Sequence, residues 1–283
     1  MRLEYSVPYL CEMFGVSQSG YYKWLSRRPS EREVKDVQLK LQILSAHKRT
    51  RESYGVDRLR EELRRNGIIV SKWKLRKLRI NLGIYCKQRR KYRATTNSTH
   101  NYPVCHNLLN RDFCIDDPNK VWVSDITYIS TDEGWLYLAS HKDLCNGEIV
   151  GYAAGERMTR DLVIKSLRMA IKRRRPSSGL IHHSDRGSQY CCYEYQDLLK
   201  SLGISQSMSR KGDCYDNAPM ESFWGILKNE LVYGKKYKTR AEAINEISEY
   251  IEIFYNRQRI QARLGYLSPI EYLNKYSARK NVA

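Results

Sequence analysis

Three short stretches of this chain each set one carboxylate in surroundings suited to a divalent cation. They run Val121-Trp-Val-Ser-Asp-Ile-Thr-Tyr-Ile129, Ile181-His-His-Ser-Asp-Arg-Gly-Ser-Gln-Tyr190 and Asp216-Asn-Ala-Pro-Met-Glu-Ser-Phe-Trp-Gly225. The carboxylates are Asp125, Asp185 and Glu221, and 35 residues separate the last two. Phosphodiester cleavage needs both the attacking and the leaving oxygen stabilised, which two divalent ions about 3.5–4 Å apart can do. Mg²⁺ favours one or two carboxylates, waters and phosphate oxygens over an all-protein cage, and three acids from separate elements meet that need. A trio drawn from 31 acidic residues proves little by count. Asp143, Asp213 and Asp216 are nearby rivals, and His183 shares the strand face of Asp185 as a supporting partner or as packing.

The elements around these acids read as an α/β core. Val121–Ser130, Gly134–Ser140 and Glu148–Ala154 alternate as strands and are close enough for an antiparallel meander. An amphipathic helix over Thr159–Arg175 follows, then a strand at Leu180–Asp185, a helix at Tyr193–Leu202 and a strand at Ile204–Ser209. Three strands followed by helix, strand, helix, strand make a mixed sheet, in the sequence order of the ribonuclease H-like fold. Helices then run over about Pro219–Leu231, Arg240–Tyr255 and Pro269–Tyr276. Asp125 falls within the first strand, Asp185 near the end of the fourth, and Glu221 in the first turn of a helix, where an acid suits the dipole. Lys228, seven residues on, shares the face of Glu221 and either holds a phosphate or is an ordinary surface lysine. The preceding loop, Ser209–Pro219, reads as mobile, and its Arg210 and Lys211 could grip a phosphate backbone.

Residues 1–90 read as helices and turns. Val7–Phe14, a Gly15 turn and Gln18–Leu25 resemble a helix-turn-helix. A long helix over Glu31–Lys48 carries Val34, Val37, Leu41 and Leu44 at three-to-four spacing. Tyr54–Arg65, a stop at Asn66-Gly67 and a second helix from a Ser71 N-cap make a stronger unit. The second helix keeps Leu75 and Leu78 inward and Lys72, Lys74, Arg76, Lys77 and Arg79 elsewhere, as a groove-reading helix would. The rival reading is a solvated helix face. Residues 91–118 read as a basic, then polar linker, residues 119–235 as the core, and residues 236–283 as its helical extension.

The chain has 283 residues, 41% apolar composition and formal net charge +19. Residues 1–117 carry +13 of that charge and residues 118–283 carry +6. Such an excess attracts nucleic acid, and neither a basic amphipathic membrane helix nor a lipidation motif is evident. The N-terminus lacks the apolar core of a secretory signal, so a cytoplasmic, nucleoid-associated protein is expected. The eight scattered cysteines fit that compartment. The spacing of His100, Cys105, His106 and Cys114 matches no standard zinc finger, and these read as linker residues.

The wording of the motifs is more telling than their spacing. Trp122–Ile129, His183–Tyr190 and Asp216–Trp224 closely resemble the acidic signatures of bacterial insertion-sequence transposases with a retroviral-integrase-like core. Tyr255-Asn-Arg-Gln-Arg, Leu264-Gly-Tyr-Leu-Ser-Pro269 and the N-terminal helix-turn-helix material extend the resemblance over nearly the whole chain. It implies a ribonuclease H-like core and Mg²⁺ or Mn²⁺, as two ions, held by Asp125, Asp185 and Glu221. It also implies hydrolysis that frees a 3′-hydroxyl, then in-line attack of that hydroxyl on a second phosphodiester. Double-stranded DNA at element ends and target, a multimer on DNA and an upstream-frame transposase portion are the implied partners. Gln261 departs from the histidine that many relatives carry and is assigned no role. A DNA-binding regulator of transposition without catalysis is the second reading. A nuclease acting on RNA–DNA hybrids is the third, and the duplicated helix-turn-helix material argues against it.

Overall fold

Serine caps begin the N-terminal helices where the sequence places them. The computed structural model describes residues 5–86, 102–210 and 213–280. Helices α1 (Val7–Met13) and α2 (Gln18–Leu25) are followed by α3 (Glu31–Arg49), α4 (Val56–Arg65) and α5 (Lys72–Asn81). Ser30 and Glu33 form a reciprocal capping box on α3, and Ser71 Oγ accepts the Lys74 amide on α5. Gly67, at φ +76°, takes the left-handed position that ends α4.

Two expectations fail in this region. The buried stripe of α3 is Ile43, Ala46 and His47, while Val34, Val37 and Leu41 are exposed. Both stripes obey helical spacing, and only the packing of α4 against α3 selects between them. Arg79 is buried on α5 instead of facing out.

Period-two alternation then builds the sheet. β1 (Val121–Thr131) pairs antiparallel with β2 (Gly134–Asp143), setting Asp125 opposite Ser140 and Val123 opposite Lys142. β3 (Ile149–Gly155) returns antiparallel along β2, with a bulge between His141 and Lys142. α6 (Arg160–Arg174) packs across β3 and β2, closest at Gly151, where a Cβ would stand 2.4 Å from the Ser166 carbonyl oxygen. β4 (Ile181–Ser184) lies parallel to β1, α7 (Ser188–Cys191) and α8 (Tyr193–Ser201) follow, and β5 (Ser205–Met208) lies parallel to β4. The strand order is β3-β2-β1-β4-β5. This is the mixed α/β arrangement the sequence leads one to expect.

The two sheet faces bury different layers. Trp122 and Ala139 join Leu162, Val163, Leu167 and Ala170 of α6. Val121, Val123 and Leu138 face α9 (Ala218–Leu227), α10 (Arg240–Glu249) and the helical turns after them. Both helices open into π-helical segments, Lys228–Val232 and Tyr250–Gln258, in place of the longer α-helices expected. α11 (Pro269–Lys280) ends the described chain.

The N-terminal helices share that second layer. Leu59, Leu63, Leu75 and Leu78 lie in one continuous apolar cluster with Phe223, Ile251 and Phe254. The Tyr54 hydroxyl accepts the Ile260 amide at 2.9 Å, and Arg65 pairs with Glu271 at 3.1 Å. The described part of the expected linker is not free either. His106 O accepts the Met208 amide, Leu108 N donates to Ser207 Oγ, and Leu109 is buried. That segment satisfies backbone groups along the edge of β5, a role a polar sequence without periodicity does not announce.

Candidate active site

β1 and α9 are joined at Asp125. Asp125 lies mid-strand, facing α9, with Oδ1 accepting its neighbour Ile126 N at 2.8 Å and Oδ2 accepting the indole Nε1 of Trp224 at 3.0 Å. Asp185 stands one residue beyond β4, its Oδ1 accepting the Gly187 amide at 3.0 Å. Glu221 is in the first turn of α9, one turn before Trp224. Pro at the start of that helix gives up no needed donor, and Asn217 anchors its entry by donating to the Ser124 carbonyl at 3.0 Å.

Asp125 lies in the field of the other two acids. Burial, then the charge of Asp185, pushes the Asp125 carboxyl well above the usual range, and Glu221 adds to the push. The Ile126 amide and the Trp224 indole oppose it. Burial alone raises Glu221. The Lys228 ammonium is lowered to about 8 by burial, against the attraction of Asp125, and lies 5.0 Å from the Tyr128 ring centroid. Lys228 is therefore a buried residue beside the acids and not a surface lysine.

The rival acids have structural work. Asp143 is buried and accepts from Asn119 N, Trp122 Nε1 and Cys145 N. Asp216 is buried and accepts from Asn107, Arg111 and Arg210, whose guanidinium groups hold its carboxyl far below the usual range. The stretch expected to be mobile thus contains a buried anchor. Arg210 directs Nε and one terminal nitrogen at Asp216, at 3.0 and 2.8 Å, so its guanidinium is already engaged. Lys211 lies outside the described residues. His183 lies between Ser207 and Ser209, at 2.8 and 3.2 Å, and burial lowers its imidazole to about 4, which makes it packing.

On α5, away from the acids in sequence and fold, Lys72 pairs with Asp57 at 2.7 Å and Lys74 with Asp36 at 2.5 Å. The sequence shows almost no acid between Ile69 and Arg93, yet α3 and α4 bring acids to the helix. Arg76 and Lys77 are exposed, the latter over the Trp73 ring. Cys105 Sγ donates to Gln206 and Cys114 is exposed, whereas His100 lies outside the described residues.

Sequence reasoning missed a buried chain on the opposite sheet face. Ser166 Oγ, His141, His182 and the Tyr195 hydroxyl stand 2.9, 3.1 and 3.0 Å apart in turn. Beside it Ser124 Oγ, next to Asp125, donates to the Tyr190 hydroxyl at 2.8 Å. The adjacent His182-His183 pair was the available signal, and alternation sends the two rings to opposite faces.

Three carboxylates, two of which raise the third at Asp125 by their charge, fit a divalent cation in donor type and in charge. Among the described residues no three His, Cys, Asp or Glu side chains gather closely enough to hold an ion as they stand. The sheet order, with acids on β1, after β4 and on α9, defines a ribonuclease H-like integrase core. Integrase core domain models match residues 116–214 and 221–276, and an HTH-like domain model matches residues 33–92. Transposase InsF for insertion sequence IS3A of Escherichia coli is 39% identical over 97% of this chain and 96% of its own length. The chain belongs to the insertion-sequence transposase family. An uncharacterized 31 kDa protein of insertion element IS600 from Shigella sonnei is 58% identical over 94% of this chain and 98% of its own. Among solved structures, the HTLV-2 integrase catalytic core domain in complex with magnesium (trimeric form) is 18% identical at TM-score 0.43, over 55% of this chain and 96% of that one. The simian T-cell lymphotropic virus intasome is 17% identical at TM-score 0.48, over 75% and 69%. No described helix is long and apolar enough to cross a membrane.

Proposed function

We propose that this chain is the catalytic transposase of an insertion sequence, cleaving and joining DNA strands at the element's ends. Its relatives named as transposases support transposition as the process. The observation that carries the catalytic reading is that Asp185 and Glu221, from two other elements, both bring their charge to bear on the buried Asp125 of β1. Mg²⁺ or Mn²⁺ bound by these carboxylates, as two ions, would stabilise the attacking and leaving oxygens of an in-line displacement.

The chain's own residues prepare that reaction. Trp224 holds one oxygen of Asp125 in place, and the Gly187 amide does the same for Asp185. Lys228 sets a positive charge beside Asp125, where a phosphate would approach. Residues 1–90 serve DNA recognition, residues 91–118 connect, residues 119–235 carry the chemistry, and residues 236–283 brace it. Element ends and target DNA are the substrates, bound by a multimer of this chain together with an upstream-frame transposase portion, in the cytoplasm.

The test is Mg²⁺-dependent joining of a pre-cleaved element end, with the upstream-frame portion supplied, comparing wild type with Asp185→Asn. Joining is expected to disappear in the variant while DNA binding persists. Equal joining by both proteins would overturn the metal assignment. No joining by wild type would favour the non-catalytic regulator.

A further inference from the structure

A cavity of about 560 Å³ opens between the N-terminal helical region and the core, on the sheet face that carries Asp125. Strand β2 contributes Lys142 to it, α9 contributes Pro219 and Ser222, and the turn after the last π segment contributes Gln261 and Arg263. Lys142 stands two residues along β2 from Ser140, the pairing partner of Asp125, so the cavity lies on the same sheet face as that acid, although none of the three acids lines it.

Its polar groups are mostly donors. Lys142 is buried, and its Nζ donates to the Pro219 carbonyl at 3.0 Å. An ammonium has three donors, and burial together with the like charges of Arg263 and Arg259 lowers this one to about 7. Arg263 donates through Nε to Gln261 Oε1 at 3.3 Å. That bond turns the Gln261 amide nitrogen the other way, where it is buried with no acceptor in hydrogen-bonding geometry, although the Tyr255 hydroxyl lies beside it.

The cations that have acids can be set aside. Arg259 is matched by Glu230 at 2.7 Å, and Asp57, the cavity's acid, is matched by Lys72 at 2.7 Å. Neither Lys142 nor Arg263 has an acid among the described ion pairs, and Arg263 also donates through one terminal nitrogen to the Leu144 and Cys145 carbonyls at 3.3 Å. Two features hold this arrangement in place. The bulge at His141/Lys142 breaks the β2–β3 register beside Lys142, and bulges re-aim side chains in this way. Gly147, at φ +73°, lets the Arg263 guanidinium lie where its Cβ would be, 2.0 Å away.

Arg58 also lines the cavity, 3.9 Å from Glu230, and the apolar part of the lining includes Phe113, Leu144, Ile226 and Tyr266. An apolar floor with a few convergent donors, in a volume of this size, suits a small planar ligand that bears an anion. Resting on the reading of this chain as a DNA strand-joining enzyme, we propose that the cavity binds one unpaired nucleotide of the DNA strand beside the carboxylates. Its phosphate lies on Lys142, Gln261 and Arg263, and its base lies on the apolar floor. Unpaired bases are held this way, by stacking together with backbone charge. Gln261 thereby gains a role, its amide Nε2 donating a hydrogen bond to that phosphate.

The experiment measures DNA binding by the full chain in EDTA, so it does not depend on the metal site. The probes are one fluorescent duplex with a short single-stranded 3′ extension and the same duplex with a blunt end. Arg263→Gln, Lys142→Met and Gly147→Ala are each expected to weaken binding of the extended duplex about tenfold while leaving the blunt one within about twofold. Arg263 is exposed, so its variant keeps the test open if Lys142→Met fails to fold. Equal weakening of both duplexes, or of neither, would overturn the proposal. So would a free deoxynucleoside monophosphate that binds in an Arg263-dependent way when the extended duplex shows no such dependence. Joining lost in Asp185→Asn, with these variants binding normally, would sink the pocket alone and leave the catalytic reading standing.

Discussion

Trp224 Nε1 donates to Asp125 Oδ2 at 3.0 Å, which ties the helix bearing Glu221 to the strand bearing Asp125. One helical turn separates Glu221 from Trp224, so a single element delivers the third carboxylate and steadies the first. Trp224→Phe keeps an aromatic ring in the buried site and deletes the donor. A hydrogen bond to a charged acceptor contributes about 1.5–3 kcal/mol, so joining is expected to fall by about tenfold or more. Rates measured across a Mg²⁺ titration should recover partly at high metal. A variant joining at the wild-type rate would reduce the indole to packing.

Asp125 also exacts a stability cost. Its folded carboxyl titrates well above the ordinary aspartate value of 3.8, so above that pH the unfolded chain gives up its proton more readily than the folded one. The resulting destabilisation is present at neutral pH and is relieved as the medium is acidified through the folded value. Asp125→Asn removes the charge at nearly constant shape. Without divalent metal at pH 7.5, the variant is expected to melt several degrees above wild type and to be inactive in joining. A lower melting temperature would mean that the carboxylate's hydrogen bonds outweigh the repulsion.

Asp216 works in the opposite sense. It is buried under Arg210 and Arg111, and Asp216→Asn leaves both guanidinium groups without their anion. Removing one partner of a buried pair costs about 3–5 kcal/mol, and the partial exposure of both arginines favours the low end. Urea unfolding should show a lower midpoint at unchanged slope. Wild-type stability in this variant would make the network a surface feature.

The core was legible because its signals are local. Alternation in Val121–Ser130 gives β1, Ser71 gives the start of α5, and the wording around Asp125, Asp185 and Glu221 gives the acids. What was not legible depends on which elements meet. Val34, Val37 and Leu41 satisfy helical period as well as Ile43, Ala46 and His47 do, and only α4 decides between them. Lys72 and Lys74 find Asp57 and Asp36 from distant helices, and Arg210 finds a buried Asp216 where the loop composition suggested motion. Residues 102–109 read as linker because their partner is the edge of β5, which no pattern within them encodes.

The buried histidines make stability sensitive to acid. Burial lowers His141 to about 3 and His183 to about 4, and holds His182 well below the ordinary histidine value of 6.5. Between these folded values and 6.5 the unfolded chain binds protons that the folded chain refuses, so stability falls as pH falls. Each such histidine contributes a slope of up to about 1.4 kcal/mol per pH unit. The melting temperature is expected to drop steadily from pH 7.5 to pH 5, and to drop less steeply in His183→Gln. A flat profile over that range would mean the three rings titrate as they do in water.

Ion pairing divides the basic residues of α5 into two pairs. Lys72 and Lys74 are held by Asp57 and Asp36, and a phosphate must compete with those carboxylates to engage them. Arg76 and Lys77 are exposed, with no ion pair among the described contacts, so their charges are available to a polyanion at no such cost. Each cation that neutralises a phosphate adds about 0.9 to the slope of log binding constant against log salt. Arg76→Ala with Lys77→Ala is therefore expected to flatten that slope by about 2, while Lys72→Ala with Lys74→Ala changes it by less. Titrations of duplex DNA at several salt concentrations read both numbers directly. If the first double variant leaves the slope unchanged, α5 is a solvated face and DNA is held elsewhere.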